Sequence, residues 1–588
     1  MGRIYSSAQR VIIWLGKSTT IHELAIGIMS KLAPSKQNDQ KELSRTSTEV
    51  ASMRDTNFRI TYGKALNKDG NADAAERSRI DQHADALAVL RILRRGWFTR
   101  TWTLQELLLA KEVAVVMGPR EIPPEAIVNA TRWLLKFYST DVIGGLYMDD
   151  LVSHYRHLLA IPAFFNSREQ FLHGRRWSFE EYAAVVRTRG VTDPKDKVYA
   201  GYSLLNQPLP HLIGTTAEVY SAFAQALYQS EAGLSAFSLV GDLRSTIPDL
   251  PSWVPDLCIS IRPKPLRYTT DHVFQAATTM ANIPRCSFDS PALMCQAAIW
   301  DTVEEVAETD WSWNYPKWTE YAYSDSEIKS RYPNDSTNER LGRMFPLVAA
   351  LGKLYQPTEE PTIAVLCHTL LAGLYSNGTI PPDVVQSFSY YLTRAVAAVQ
   401  YMAQDPSGLV ARGYTLGRKA HTSQEESLDA VFSDIKNNLM TRFEPFMNLL
   451  DSSEYPLKDK YSVAQAEVQE ALSKVSLVSS KLYNIMRDMF QDNTVNDKKL
   501  PFMALFEERY EGRRLFVTKR GYMGVGVEST KKGDSVVLAP GADVPYIFRP
   551  VEGQENTFLL IGESYVHGVM QGEAVKNKDL DLRTVRIV

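Results

Sequence analysis

The 588-residue sequence holds four cysteines, Cys258, Cys286, Cys295 and Cys367, and no two stand in a Cys-x-x-Cys spacing. That scarcity excludes a disulfide-stapled secreted scaffold and any zinc or redox motif built on closely paired thiols. The four read as reduced structural thiols. Long apolar runs are missing too. Spanning a bilayer takes about 18 uninterrupted apolar residues, and the nearest stretch, 362–375, is shorter and contains His368. Residues 1–16 lack an apolar run followed by a small-residue cleavage site, so they are no secretory signal. The expected localisation is cytoplasmic. Neither charge dominates: 65 Lys and Arg against 68 Asp and Glu leave a net charge of -3. A nucleic-acid partner would need a concentrated basic surface, so none is expected.

What remains is ordinary globular composition, 44% hydrophobic and 23% charged. The length implies roughly two to four domains. Val11-Ile12-Ile13-Trp14-Leu15-Gly16 is a β-branched run closed by glycine, which predicts a strand buried on both faces. A helical pattern follows at 21–32. Residues 33–80 are polar and read as an insertion. Helical spacing returns at Ala84, Leu87, Ala88, Leu90 and Arg91, and Gly96-Trp97-Phe98 interrupts it. A second helix runs from Leu104 to Lys111, and Val113 to Met117 is a second buried strand. Helix then strand, twice, is α/β grammar.

Ser178 and Glu181 form a capping-box pattern that starts a helix. Asp193-Pro194 predicts another helix start, with Asp193 as its cap and the mixed charges of 193–197 solvated. Residues 217–231 are helical, 307–340 irregular, 345–490 mostly helical, and 491–500 a linker. From Arg513 the period becomes that of strands. Leu515-Phe516-Val517, Val536-Val537-Leu538, Val544 to Phe548 and Phe558 to Ile561 are separated by Gly521, Gly533, Gly541 and Gly553. Such spacing predicts a compact antiparallel β unit over 501–588.

Catalytic signatures fail on inspection. Gly16-Lys17-Ser18 lacks the phosphate loop's first glycine, since Val11 stands there. Gly562-Glu563-Ser564-Tyr565-Val566 lacks the second glycine of a nucleophile elbow and sits among strands. The glycines of 521–526 have the wrong spacing for a dinucleotide loop. His154 and His157, near Asp149 and Asp150, could hold a metal, but a surface helix carrying two histidines is the commoner arrangement. No metal site is expected.

Five ordered motifs nonetheless resemble one family. They are Tyr5 with Trp14 and Gly16; Trp97-Phe98-Thr99-Arg100-Thr101-Trp102 followed by Gln105-Glu106; Thr192-Asp193-Pro194-Lys195-Asp196-Lys197-Val198-Tyr199; Leu250-Pro251-Ser252-Trp253-Val254-Pro255-Asp256; and Tyr565-Val566-His567-Gly568 with Gly572-Glu573. Together they resemble the fungal heterokaryon-incompatibility family. Members usually carry two further strands upstream, so the resemblance implies a domain entered part-way. It also implies an α/β fold with a partial flavodoxin-like or Toll/interleukin-receptor-like (TIR-like) parallel sheet over 1–118. A family-specific region over 119–344, helices over 345–490 and the small β domain over 501–588 would follow.

The function implied is non-self recognition and programmed cell death signalling through protein partners, with room for a homo-oligomer and no cofactor. Two alternatives stand beside it: an NAD-cleaving effector with NAD as substrate, or a non-catalytic scaffold. Trp102-x-x-x-Glu106 resembles the segment of NAD-cleaving TIR domains whose glutamate acts at the ribose, which makes Glu106 the candidate catalytic residue. Bottom-up, Trp97, Trp102 and Trp253 read as core anchors. Tyr565, His567 and Glu573 read as partners in turn hydrogen bonds.

Overall fold

In a computed structural model the described residues are 1–32, 85–139, 148–209, 212–241, 245, 247–259, 265–268, 274–280, 286–307, 344–375, 380–385, 387–388, 501–510, 512–576 and 580–588. The expected insertion, the irregular segment at 308–340, the linker and most of the predicted helical region fall outside them. The chain forms two compact units, Met1–Leu227 with Asp256–Ser260, and Tyr228–Pro255 with Ile261–Val588.

The first unit opens with a short helix, Gly2–Ser7, and strand β1, Arg10–Trp14. Helix Thr20–Leu32, a helix over 85–93, a 3-10 turn Gly96–Phe98 and helix Thr103–Leu108 lead to β2, Glu112–Met117, and β3, Arg120–Ile122. β1 and β2 run parallel with Ile12 opposite Ala114, and β3 joins β2 antiparallel. Among the described residues the strand order β1-β2-β3 puts β1 at an edge.

β1 corrects one expectation. Only Val11 and Ile13 are buried, while Ile12 is 65% and Trp14 55% exposed. An apolar run has the same composition whether one face or two are covered, so periodicity alone could not tell. The unit also continues past residue 118. Helices Pro124–Ser139 and Met148–Leu172 pack together, and Phe179–Arg187 follows, opened by the capping box expected at Ser178 and Glu181. The boundary expected at 118 therefore lies inside a packed unit.

The second unit is built on β4, Cys286–Asp289, and β5, Ala292–Val306. A two-stranded ribbon, β6 at Leu354–Tyr355 and β7 at Glu360–Pro361, precedes helix Thr362–Leu370. After helix Pro501–Tyr510 come β8 (Arg513–Thr518), β9 (Met523–Val527), β10 (Ser535–Leu538), β11 (Tyr546–Pro550), β12 (Thr557–Val566) and β13 (Leu582–Ile587). β5 pairs with β8, β8 with β9, β9 with β12, β12 with β11, β11 with β10, and β10 returns to β5. The ring is a closed six-stranded barrel.

One core cluster draws on all six strands: Ala298, Val303, Phe516, Val527, Val536, Leu538, Ile547, Ile561 and Val566. The self-contained unit expected at 501–588 is thus corrected. β5, far upstream, closes the barrel, and β12 pairs parallel with β13. Closure removes the unpaired edges that an open sheet of these strands would leave, and the closing strand need not be a sequence neighbour.

Candidate functional site

In the first unit Glu106 lies in the first turn of Thr103–Leu108. Its Oε2 accepts the Trp97 indole N–H at 2.7 Å, and the Tyr5 hydroxyl stands 3.5 Å from Oε1. Burial and then the Glu106 charge raise the Tyr5 pKa. Two motif residues, from the first helix and the 3-10 turn, therefore meet one carboxylate. Beside them Gln105 is buried and donates from Nε2 to the Ala200 carbonyl at 2.9 Å. Trp97 and Trp102 are half-buried, not core anchors, and Arg100 is exposed. Trp97 donates its indole N–H to this half-buried carboxylate.

Arg189 and Gly190, just upstream of the Thr192–Tyr199 motif, hold the turn before that helix. Arg189 Nη1 donates to the Arg100 carbonyl at 2.7 Å and to Thr103 Oγ1 at 3.1 Å, and its guanidinium lies 4.1 Å from the Phe164 ring centroid. Gly190 N–H donates to Thr99 O at 2.6 Å, and Thr101 N–H returns to Gly190 O at 3.0 Å. Lys197 Nζ donates to the Val186 carbonyl at 2.7 Å and to that of Arg189. Burial pushes Lys197 down to about 8 and Arg189 down to about 9.

The charge run 193–197 is accordingly solvated only in part: Asp193 is exposed, but the expectation fails at Lys197. Lys197 is buried, and the helix begins at Asp196. Asp193 Oδ1 instead accepts from Lys195 N–H at 2.9 Å and caps the preceding turn.

The second unit holds a separate relay. His567 Nδ1 is 2.9 Å from the Tyr565 hydroxyl, and His567 Nε2 is 2.7 Å from Glu360 Oε2. With the proton on Nε2, the neutral ring accepts from Tyr565 and donates to Glu360, so all three are satisfied. The hydrogen bond from His567, aided by Thr358, draws Glu360 down to about 2 against burial. His368 lies 5.5 Å away between ring centroids, and burial takes it down to about 4.

Sequence reasoning missed Glu360, which lies 207 residues from His567 on a two-residue strand that carries no motif. Glu573 is not in the relay and accepts from Gln571 N–H at 2.7 Å. Gly568 has φ +84, and an added Cβ would meet Thr358 Cγ2 at 2.8 Å, so glycine is required there.

The family model described as "Heterokaryon incompatibility protein (HET)" matches residues 1–106, and the one described as "Het-6 beta-barrel domain" matches 428–581. A curated Neurospora crassa protein, "Heterokaryon incompatibility protein 6, OR allele", is 22% identical, with 97% of this chain and 78% of that protein covered. This is a heterokaryon-incompatibility domain protein. No solved structure matches the chain.

The matched heterokaryon-incompatibility segment ends at Glu106 itself, yet the residues that brace the helix carrying Glu106 run on to Ala200, which accepts from Gln105. The barrel match likewise omits β5, which closes the ring. Of the remaining motif residues, Trp253 is fully buried as expected and donates its indole N–H to Pro291 O at 2.9 Å. Asp256 Oδ1 accepts from Cys258 N–H at 2.7 Å, and Gly16 O, after β1, accepts from Gly118 N–H at 2.9 Å. Gly572 O accepts from Val575 N–H at 3.1 Å. His154, His157, Asp149 and Asp150 have side chains outside the described residues. Among the described residues no group of three or more potential ligands could hold a metal, and no helix is long and apolar enough to cross a membrane.

Proposed function

We propose that this protein signals non-self recognition, with the domain around Glu106 triggering programmed cell death and the barrel unit controlling it through protein partners in the cytoplasm. The observation that carries this reading is one half-buried carboxylate held by Tyr5 and Trp97 from separate elements, on a helix whose preceding turn the Arg189–Lys197 clamp fixes. Ordinary fold stability does not call for such convergence on a half-buried acid, whereas an effector surface that must present Glu106 in one position does. The similarity to the Neurospora protein over 97% of the chain supports carrying across the role in heterokaryon incompatibility that its name states. Expression of the full chain in fungal cells should reduce viability, and Glu106→Ala should restore it. Undiminished killing by a folded Glu106→Ala protein would sink the reading.

A second reading makes the same unit a TIR-like domain that cleaves NAD. The parallel β1–β2 pair and the aromatic rings beside Glu106 favour it. Breaking the nicotinamide–ribose bond builds oxocarbenium-like charge, which a fixed carboxylate can stabilise. NAD loss caused by the wild-type chain and abolished by Glu106→Gln would establish it. Killing without NAD loss would leave signalling by assembly.

A further inference from the structure

Cys286 and Cys295 are directly opposed where β4 pairs antiparallel with β5. Opposed residues project to the same face, with Cβ atoms roughly 4.5–5.5 Å apart and closer at non-hydrogen-bonded sites. Only Ser290 and Pro291 connect the two strands, and Asp289 and Ala292 are the pair next to the turn. A two-residue hairpin closes on a hydrogen-bonded pair, and pair types alternate from there. Phe288–Leu293 is then non-hydrogen-bonded, Ser287–Met294 bonded, and Cys286–Cys295 non-hydrogen-bonded, the closer geometry. Disulfides need Cα atoms about 4.4–6.8 Å apart and Cβ atoms about 3.5–4.5 Å apart, which such a site reaches with small adjustment.

Neither cysteine is in a disulfide, and Cys286 is partly exposed while Cys295 is buried. Their hairpin is anchored: the Trp253 indole donates to Pro291 O, its ring lies 5.7 Å from that of Phe288, and β5 is a barrel strand. We propose that Cys286 and Cys295 form a reversible redox pair, oxidised by a peroxide to a cross-strand disulfide that staples β4 to the barrel. The Cys286 sulfur attacks the peroxide, the O–O bond breaks, and a sulfenic acid and water result. The Cys295 sulfur then attacks that sulfenic sulfur. The S–S bond forms, the S–O bond breaks, and the departing hydroxide takes the Cys295 proton as a second water. Two thiols lose two electrons and the peroxide gains them. A small dithiol reverses the step by thiol–disulfide exchange.

Exposure assigns the order. Cys286 meets the oxidant, while burial, with Cys286 next, raises the Cys295 pKa and keeps that thiol protonated and shielded until the sulfenic acid stands opposite it. The closed loop is short, so the crosslink adds little global stability and acts locally on β4.

The test uses the full chain. It is exposed to hydrogen peroxide, alkylated with iodoacetamide in denaturant, and digested with trypsin without reductant. Both cysteines fall in one tryptic peptide, 286–317. That peptide should lose two hydrogens and take up no alkyl group, and dithiothreitol should restore two alkylations. Cys286→Ser should leave Cys295 fully alkylated after the same exposure, and Cys258→Ser should leave the linked peptide unchanged. A wild-type peptide that stays doubly alkylated, stops at a sulfinic acid on Cys286, or is linked to Cys258 overturns the pair.

Discussion

The sheet of the first unit and the barrel of the second are made from similar residues and end differently. β1 reads Arg-Val-Ile-Ile-Trp and exposes every second side chain, whereas β10 reads Ser-Val-Val-Leu and exposes none. β1 has one ladder partner among the described residues and β10 has two. β-Branched composition selects strand in both cases. Burial on the second face comes from closure and from what packs outside, such as the turn Gly233–Leu239, where Phe237 meets Tyr546 at 5.3 Å. Polar groups follow the same division. The barrel unit encloses a whole ion pair, Arg513–Glu563 at 2.7 Å with side chains 1% and 2% exposed, while the first unit keeps Glu106 near its surface.

Breaking the enclosed pair should have the largest effect. Glu563→Ala leaves Arg513 buried without its carboxylate, and such losses cost about 3–5 kcal/mol. The barrel's urea midpoint should fall sharply. A cost below about 1 kcal/mol would mean the barrel opens to water there, as the first unit's sheet does.

A smaller effect should come from acid. His368 sits at about 4 in the folded protein against an ordinary 6.5, so the unfolded chain takes up the proton first. The stability that depends on a neutral His368 is complete above pH 6.5 and lost as pH falls to about 4. The loss should be about 2 kcal/mol after allowing for partial exposure. Glu360, held at about 2, contributes a further loss only below its ordinary 4.5. Urea unfolding from pH 7 to 5 should show the first slope, and His368→Phe should flatten it. An unchanged slope in that variant assigns the titration elsewhere.

In the first unit, Trp97→Phe removes the donor to Glu106 Oε2 and keeps the ring. A half-buried acceptor left unmatched costs about 1 kcal/mol, and killing should fall further than stability does. Equal loss of both would make Trp97 a packing residue only. Ile12→Thr should change stability least, by no more than about 0.5 kcal/mol, because its side chain is 65% exposed. A loss of several kcal/mol would show that this face of β1 is covered in solution and that the contrast with the barrel is false.

Much of the local structure was legible. The Ser178–Glu181 capping box is present with both bonds, 2.9 and 3.1 Å, because a cap is settled within one turn of chain. Helices at Thr20–Leu32 and Thr216–Gln229 and the C-terminal strands lie where periodicity puts them. Tyr5, Trp97 and Glu106 were each identified by motif, but not as neighbours. Glu360 and β5 left no signal, since their roles depend on chain segments more than two hundred residues away. Lys197 was misread because charge predicts solvent, and only backbone carbonyls converging on its ammonium make burial tolerable.

The sequence by itself determined the family and the local helix and strand choices, since each depends on residues close together in the chain. Tertiary structure alone decided which strand closes the barrel, which acid meets His567, and which cysteines face each other. Those outcomes are set by pairing energies between distant segments, and no local pattern encodes a partner's position.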